Sequence, residues 1–190
     1  VLTMSIFSSL RSRFRHMWYM PLLFCVLFFV AYAMLGVVRH MQYGSFGFDL
    51  GINTQLVWKY SRLIFPITTI DPFPDKTKFA SHIELIYIIL APLYRLWSSP
   101  VTLIVSQALA VSSGAYALML VALSSKLRLG AVYAIGIGYI FFFGVQNALW
   151  FDIHSSAFAA AFLSWFLYSL ETKRTRMTWV FALLSILTKE

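Results

Sequence analysis

Three short stretches of this chain set ionisable side chains among apolar ones. Phe46-Gly47-Phe48-Asp49-Leu50-Gly51 surrounds a carboxylate with aromatic and small residues, and Phe151-Asp152-Ile153-His154 places a carboxylate and an imidazole two positions apart. Leu187-Thr188-Lys189-Glu190 brings charges to the end of an apolar run. Ionisable groups that the surrounding sequence carries to membrane depth usually face a cavity or pair with one another, so all three are site candidates. Asp152, His154 and the separate His82 are metal-ligand types, but an Asp-x-His pair needs further ligands from elsewhere in the chain. Plainer roles fit the same residues. Asp49 would cap the helix that follows it, a role compatible with chemistry, and Asp152 and His154 would cap a later span. His82 suits a headgroup position as well as a ligand one, and Lys189 suits a helix end.

Other chemistries find no support. Gly130, Gly136, Gly138 and Gly144 follow no strand and precede no Gly-Lys-Ser/Thr, so they read as helix-packing glycines. No Gly-x-Ser-x-Gly elbow or His-Glu-x-x-His helix occurs. The single Cys25 excludes an intramolecular disulfide framework.

The elements that must position these groups follow from composition. Of 190 residues, 60% are hydrophobic and 12% charged, against about 45–50% and about 25% in soluble domains. A chain of this size cannot enclose so much apolar surface, so the surplus faces lipid. The formal charge of +8 sits beside apolar runs, which suits phospholipid headgroups and excludes a nucleic-acid partner, for which no motif exists.

Residues 1–16 form a basic N-terminus, and Met17–Val38 is a charge-free run long enough to cross a bilayer core of about 30 Å. A cleaved signal peptide is the rival, but the run exceeds an h-region and no A-x-A site follows. Residues 39–100 form a long connection with an amphipathic stretch over 50–65, a loop at Asp71-Pro72-Phe73-Pro74-Asp75, and a short apolar stretch, Ile83–Trp97, read as interfacial or re-entrant. Further spans follow within 101–190: Val101–Leu123, about Leu129–Val145, about Ser155–Leu170, and a fifth from Met177 expected to continue past Glu190. The basic clusters Arg11/Arg13/Arg15, Lys126/Arg128 and Lys173/Arg174/Arg176 then share one side, and the Asp152 connection carries no Lys or Arg. The N-terminus is therefore expected in the cytoplasm, with the protein multi-pass in the plasma (inner) membrane. The fold class is all-α, a polytopic transmembrane helix bundle with amphipathic surface helices in its first outer loop.

Phe48-Asp49-Leu50-Gly51 with Gln55 and Trp58, then His82, Pro92-Leu93-Tyr94, Gln107, Phe151-Asp152-Ile153-His154 and Leu187-Thr188-Lys189-Glu190 resemble, in order, an uncharacterised family of polytopic prokaryotic membrane proteins. That family is grouped with the GT-C glycosyltransferases, which include protein mannosyltransferases and the aminoarabinose transferases of lipid A. The resemblance covers residues 40 to 190 and implies the N-terminal half of a GT-C-like bundle. It implies transfer of a sugar from a polyprenyl-phosphate donor to an acceptor hydroxyl at the outer face, with Asp49 as general base and Asp152 as a second catalytic carboxylate. Lys189, Arg62, Gln55 and Glu190 would contact substrate, and a divalent metal would be held by His82 and His154 with Asp152. The sequence departs from the pattern in having a single Asp in the first loop, and Glu190 where aminoarabinose-type enzymes have Gly. A transporter or a non-catalytic membrane scaffold is the alternative; the first would call for midplane charges and an internal repeat, and no repeat is present.

Overall fold

The computed structural model describes residues 2–70 and 84–188, with side chains from Trp18 onward. Eight helices are found among the described residues: α1 (Leu2–Met41), α2 (Gly47–Ser61), α3 (Ile86–Leu96), α4 (Pro100–Ser124), α5 (Leu129–Ile140), α6 (Phe143–Trp150), α7 (Ser155–Glu171) and α8 (Thr175–Ile186). Two are long and apolar enough to cross a membrane, the Trp18–Met41 part of α1 and all of α4; the bent pair α5–α6 makes a third if taken as one span. On α1, Leu23, Leu27, Met34 and Leu35 are each more than half exposed. Such a stripe on a helix of this hydropathy belongs against lipid. The protein is an all-α membrane helix bundle.

α4 is the central helix, packed against α1, α5 and α7. Ser99 caps its start by accepting from the Val101 N–H, with Pro100 in the first turn. Small residues allow close approach on three sides. A Cβ on Gly36 would lie 2.6 Å from Ile104 Cγ2, one on Gly136 would lie 2.6 Å from Met119 Sδ, and one on Gly114 would lie 2.9 Å from the Ala161 Cα.

These contacts fix the directions. Gly36 meets Ile104 and Cys25 meets Met119, so α1 and α4 run antiparallel. Gly114 meets Ala161 and Ser125 reaches Glu171, so α4 and α7 run parallel. The connection from α1 to α4 therefore leaves and returns at one end of the bundle, where α2 and α3 pack on each other and on α4. Leu56, Val57, Tyr87, Leu103 and Ile153 form the core there. The turns holding Lys126/Arg128 and Lys173/Arg174 lie at the opposite end.

The third span differs from its sequence reading as one run to Val145. It breaks at Phe141–Phe142 into α5 and α6, bent by 46°. A break in a span is tolerated where side chains take up the freed backbone groups. Here Gln146 Nε2 donates to the Ile140 carbonyl at 2.6 Å and also to the Tyr32 hydroxyl, which itself reaches the Ile140 carbonyl at 3.4 Å. The Phe142 ring occupies the space over Gly144, which has no side chain to exclude it.

Candidate functional site

The α6–α7 connection, residues 151–154, is fixed from two sides. Asp152 takes φ 71°, a left-handed conformation that costs about 1–3 kcal/mol outside glycine unless the surroundings impose it. Gln107, buried two turns inside α4, imposes it. Its Nε2 donates to the carbonyls of Ala148 and Asp152, each at 2.8 Å, and its Oε1 accepts from the His154 N–H at 2.6 Å.

With its backbone so held, the buried Asp152 carboxylate forms an ion pair with Arg39 from the end of α1 and accepts from the Phe46 N–H at 2.6 Å. Phe46 is the residue before α2 and has no side-chain cap. A carboxylate from the other half of the chain thus satisfies one of the orphan N–H groups at the start of α2. Asp49 does not cap α2; it lies within the first turn. Stacking of Phe46 on Phe151, centroids 4.5 Å apart and 9° from parallel, closes the same clasp, and Arg39 lies 5.0 Å over the Trp150 ring.

Asp49 is half-buried on α2, and its charge bears on the Tyr87 phenol of α3. Burial chiefly, then the charges of Glu84 and Asp49, push Tyr87 well above the ordinary phenol range; burial and then Glu84 raise Tyr60 above its ordinary value. Both phenols therefore stay protonated at neutral pH. Glu84, which the sequence analysis did not select, accepts from Ser155 at the start of α7. Its only sequence signal is an acid at the edge of a short apolar helix.

The end of α8 joins the same region: the Ile86 N–H donates to the Leu187 carbonyl at 2.9 Å, and Thr188 is buried. The structure thus brings together Asp49, Asp152, Glu84 and the Leu187-Thr188 stretch at one end of the bundle. Lys189, Glu190 and His82 lie outside the described residues.

Two sequence candidates sit elsewhere. Gln55 has its amide committed to Thr69, with Nε2 and Oε1 each 2.9 Å from it. Arg62 follows α2 at the end remote from Asp49, exposed and 6.0 Å from the Trp58 ring. Thirteen residues at 1.5 Å per residue separate it from Asp49 by about 20 Å. Of the residues expected to hold a divalent metal, Asp152 and His154 are described. Both Asp152 oxygens are engaged, and among the described residues no three His, Cys, Asp or Glu side chains could hold one ion.

Beside a small hollow of about 70 Å³ bordered by Arg39 and Trp150, two larger hollows lie near the clasp. One, of about 590 Å³, lies between α4, α5–α6 and α7. The other, of about 350 Å³, carries Asn147, Phe151 and His154.

Comparison with known proteins agrees with this architecture at the level of family. No curated protein and no solved structure matches the chain. A family described as predicted membrane protein (DUF2079) matches residues 39–190, from the Arg39 of the clasp to the last residue of the sequence. The chain belongs to that family of membrane proteins.

Proposed function

We propose that this protein is a membrane glycosyltransferase that moves a sugar from a polyprenyl-phosphate donor to an acceptor hydroxyl at the outer face of the plasma (inner) membrane, with its N-terminus in the cytoplasm. The observation that carries the reading is the gathering of Asp49, Glu84, Asp152 and the Leu187-Thr188 stretch at the bundle end remote from Lys126 and Lys173. Basic clusters mark the cytoplasmic end of membrane helices.

In this reading the acceptor oxygen attacks the anomeric carbon, the bond from that carbon to the phosphate oxygen breaks, and its electron pair leaves with the polyprenyl phosphate. Asp49 takes the acceptor proton as general base. It has no hydrogen bond or ion pair to another described residue, which leaves its oxygens available. Lys189, next to Thr188, offsets the charge that develops on the leaving phosphate. Asp152 acts through Arg39 and Phe46 by setting where α2, and so Asp49, sits.

The bent α5–α6 pair would suit a transporter. Its freed carbonyl is taken by Gln146, however, and the charged groups gather at one end of the bundle. Asp49→Asn tests the enzymatic reading. Transfer of labelled sugar to acceptor in membranes should fall by about 10²–10⁴-fold at unchanged protein level. Transfer at the wild-type rate would remove Asp49 as base and with it the reading.

A further inference from the structure

The Arg39 guanidinium has two arms, and the clasp uses one. Its Nη2 pairs with Asp152, while its Nη1 is buried and meets no acceptor. A guanidinium nitrogen can only donate, and a buried donor left unpaired is costly, so folded proteins rarely keep one without a bound partner. Arg39 borders a hollow of about 70 Å³ between α1 and α6. Beside it Gln146 Nε2 is already spent, on the Tyr32 hydroxyl and the Ile140 carbonyl. Leu35, Gly36 and Leu149 make much of the remaining wall apolar.

Position decides what fills this place. Leu35 and Trp150 are each 64% exposed, and Leu35 belongs to the stripe of α1 that faces lipid, so the hollow opens toward the bilayer. The span Trp18–Met41 has 24 residues, about 36 Å at 1.5 Å per residue against a hydrocarbon core of about 30 Å. Arg39, two residues from its end, therefore lies at headgroup depth, and Trp150 is a residue type of that layer. The volume is below the about 300 Å³ at which small-molecule sites begin. It admits one oxygen-bearing group and a few carbons, with the rest of the molecule lying along α1. Water would meet the donor alone, whereas a phosphodiester joined to methylenes meets both the donor and the apolar wall.

Charge narrows the class further. Asp152 already offsets the guanidinium. α1 and α6 both end here, and the C-terminal ends of helices carry partial negative charge that favours cations. They oppose a head that is anionic overall and favour one that brings its own cation.

We infer that this hollow binds the phosphodiester of a zwitterionic glycerophospholipid from the leaflet at this end of the bundle. Its phosphate oxygens accept from Arg39 Nη1, and its ammonium lies against the ends of α1 and α6. The bound lipid holds the second arm of Arg39 while the first stays on Asp152, and so steadies the clasp. The site stands apart from sugar transfer and does not depend on that reading.

The full chain in detergent is titrated with phosphatidylethanolamine or phosphatidylglycerol, and bound lipid is counted by native mass spectrometry. Wild type should bind the first phosphatidylethanolamine about threefold to thirtyfold more tightly than phosphatidylglycerol, from the two helix ends. Arg39→Lys keeps a cation for Asp152 but has no second arm, and should weaken that binding about tenfold or more. Phosphatidylethanolamine should raise the thermal midpoint of wild type and not that of Arg39→Lys. Leu35→Trp, which crowds the opening without touching the clasp, should weaken binding too. Leu27→Trp, on the same exposed stripe but away from the hollow, should not. Binding unchanged in both Arg39→Lys and Leu35→Trp overturns the site. Phosphatidylglycerol bound as tightly as phosphatidylethanolamine overturns the zwitterionic assignment, and displacement of the lipid by inorganic phosphate assigns the arm to a free anion and overturns the inference. A wild-type protein that retains no lipid leaves the arm to water and overturns it as well.

Discussion

Replacing Gln107 by Leu removes the one side chain that fixes the α6–α7 connection from the bundle interior. The amide makes three contacts, to the Ala148 carbonyl, the Asp152 carbonyl and the His154 N–H, all with backbone groups of the other half of the bundle. Hydrogen bonds between membrane helices contribute about 0.6 kcal/mol on average and about 1.7 at most, so the three together are worth about 2–5 kcal/mol. Leu packing offsets part of this, but it cannot serve two carbonyls and an N–H left without partners. The expected result is a lower thermal midpoint in detergent. Faster amide exchange should appear at His154, and exchange in α1 and in the α4–α7 contact near Gly114 should not change. Gln107→Glu, which keeps the acceptor for His154 and loses both donors, should fall between Leu and wild type. A Leu variant as stable as wild type, with His154 still protected, would refute the view that this amide organises the connection.

Other outcomes follow from the same contacts. Asp152→Asn keeps the acceptor for Phe46 and a residue suited to positive φ, so it isolates the charge: it should destabilise by about 3–5 kcal/mol, as for a buried pair robbed of one partner. Combining it with Arg39→Gln should recover at least half of that loss in a double-mutant cycle of thermal stabilities. Gly114→Ala, whose new methyl would sit 2.9 Å from the Ala161 Cα, should push α4 from α7 at a cost of about 1–3 kcal/mol, while Gly130→Ala should be neutral or slightly stabilising. The raised Tyr87 and Tyr60 phenols bind their protons more tightly folded than unfolded, so their contribution is complete below the ordinary phenol value of 10.0 and is lost as pH rises above it. An alkaline titration of thermal stability should be flat up to about that pH and then decline. Tyr87→Phe should reduce the decline.

The parts of this architecture readable in the sequence are those set by local pattern. The Met17–Val38 and Val101–Leu123 runs announce themselves because a charge-free stretch of that length has few other uses, and α1 and α4 cover them. The α5–α6 break was not readable. No proline marks it, and the groups that make it tolerable, Gln146 and Tyr32, are separated by most of the chain. The functional end divides in the same way. Asp49 and Asp152 stand out as acids among aromatics. That Asp152 caps the helix bearing Asp49, through Phe46 and Arg39, depends on contacts spanning 106 and 113 residues. Spacing along the chain encodes neither contact. Glu84 was passed over because its neighbours, Ser155 and Tyr87, give it meaning only once the residues before α3 meet the start of α7 and α3 packs on α2.

Sidedness is the premise on which the functional account depends, and single cysteines read it directly. In a Cys25→Ser background, cysteines are placed at the exposed Leu63, Phe151, Lys126 and Lys173 and treated with a membrane-impermeant maleimide on intact cells and on inverted vesicles. The account requires 63 and 151 to label only in cells, and 126 and 173 only in inverted vesicles. Labelling of 63 and 151 from opposite sides would contradict it.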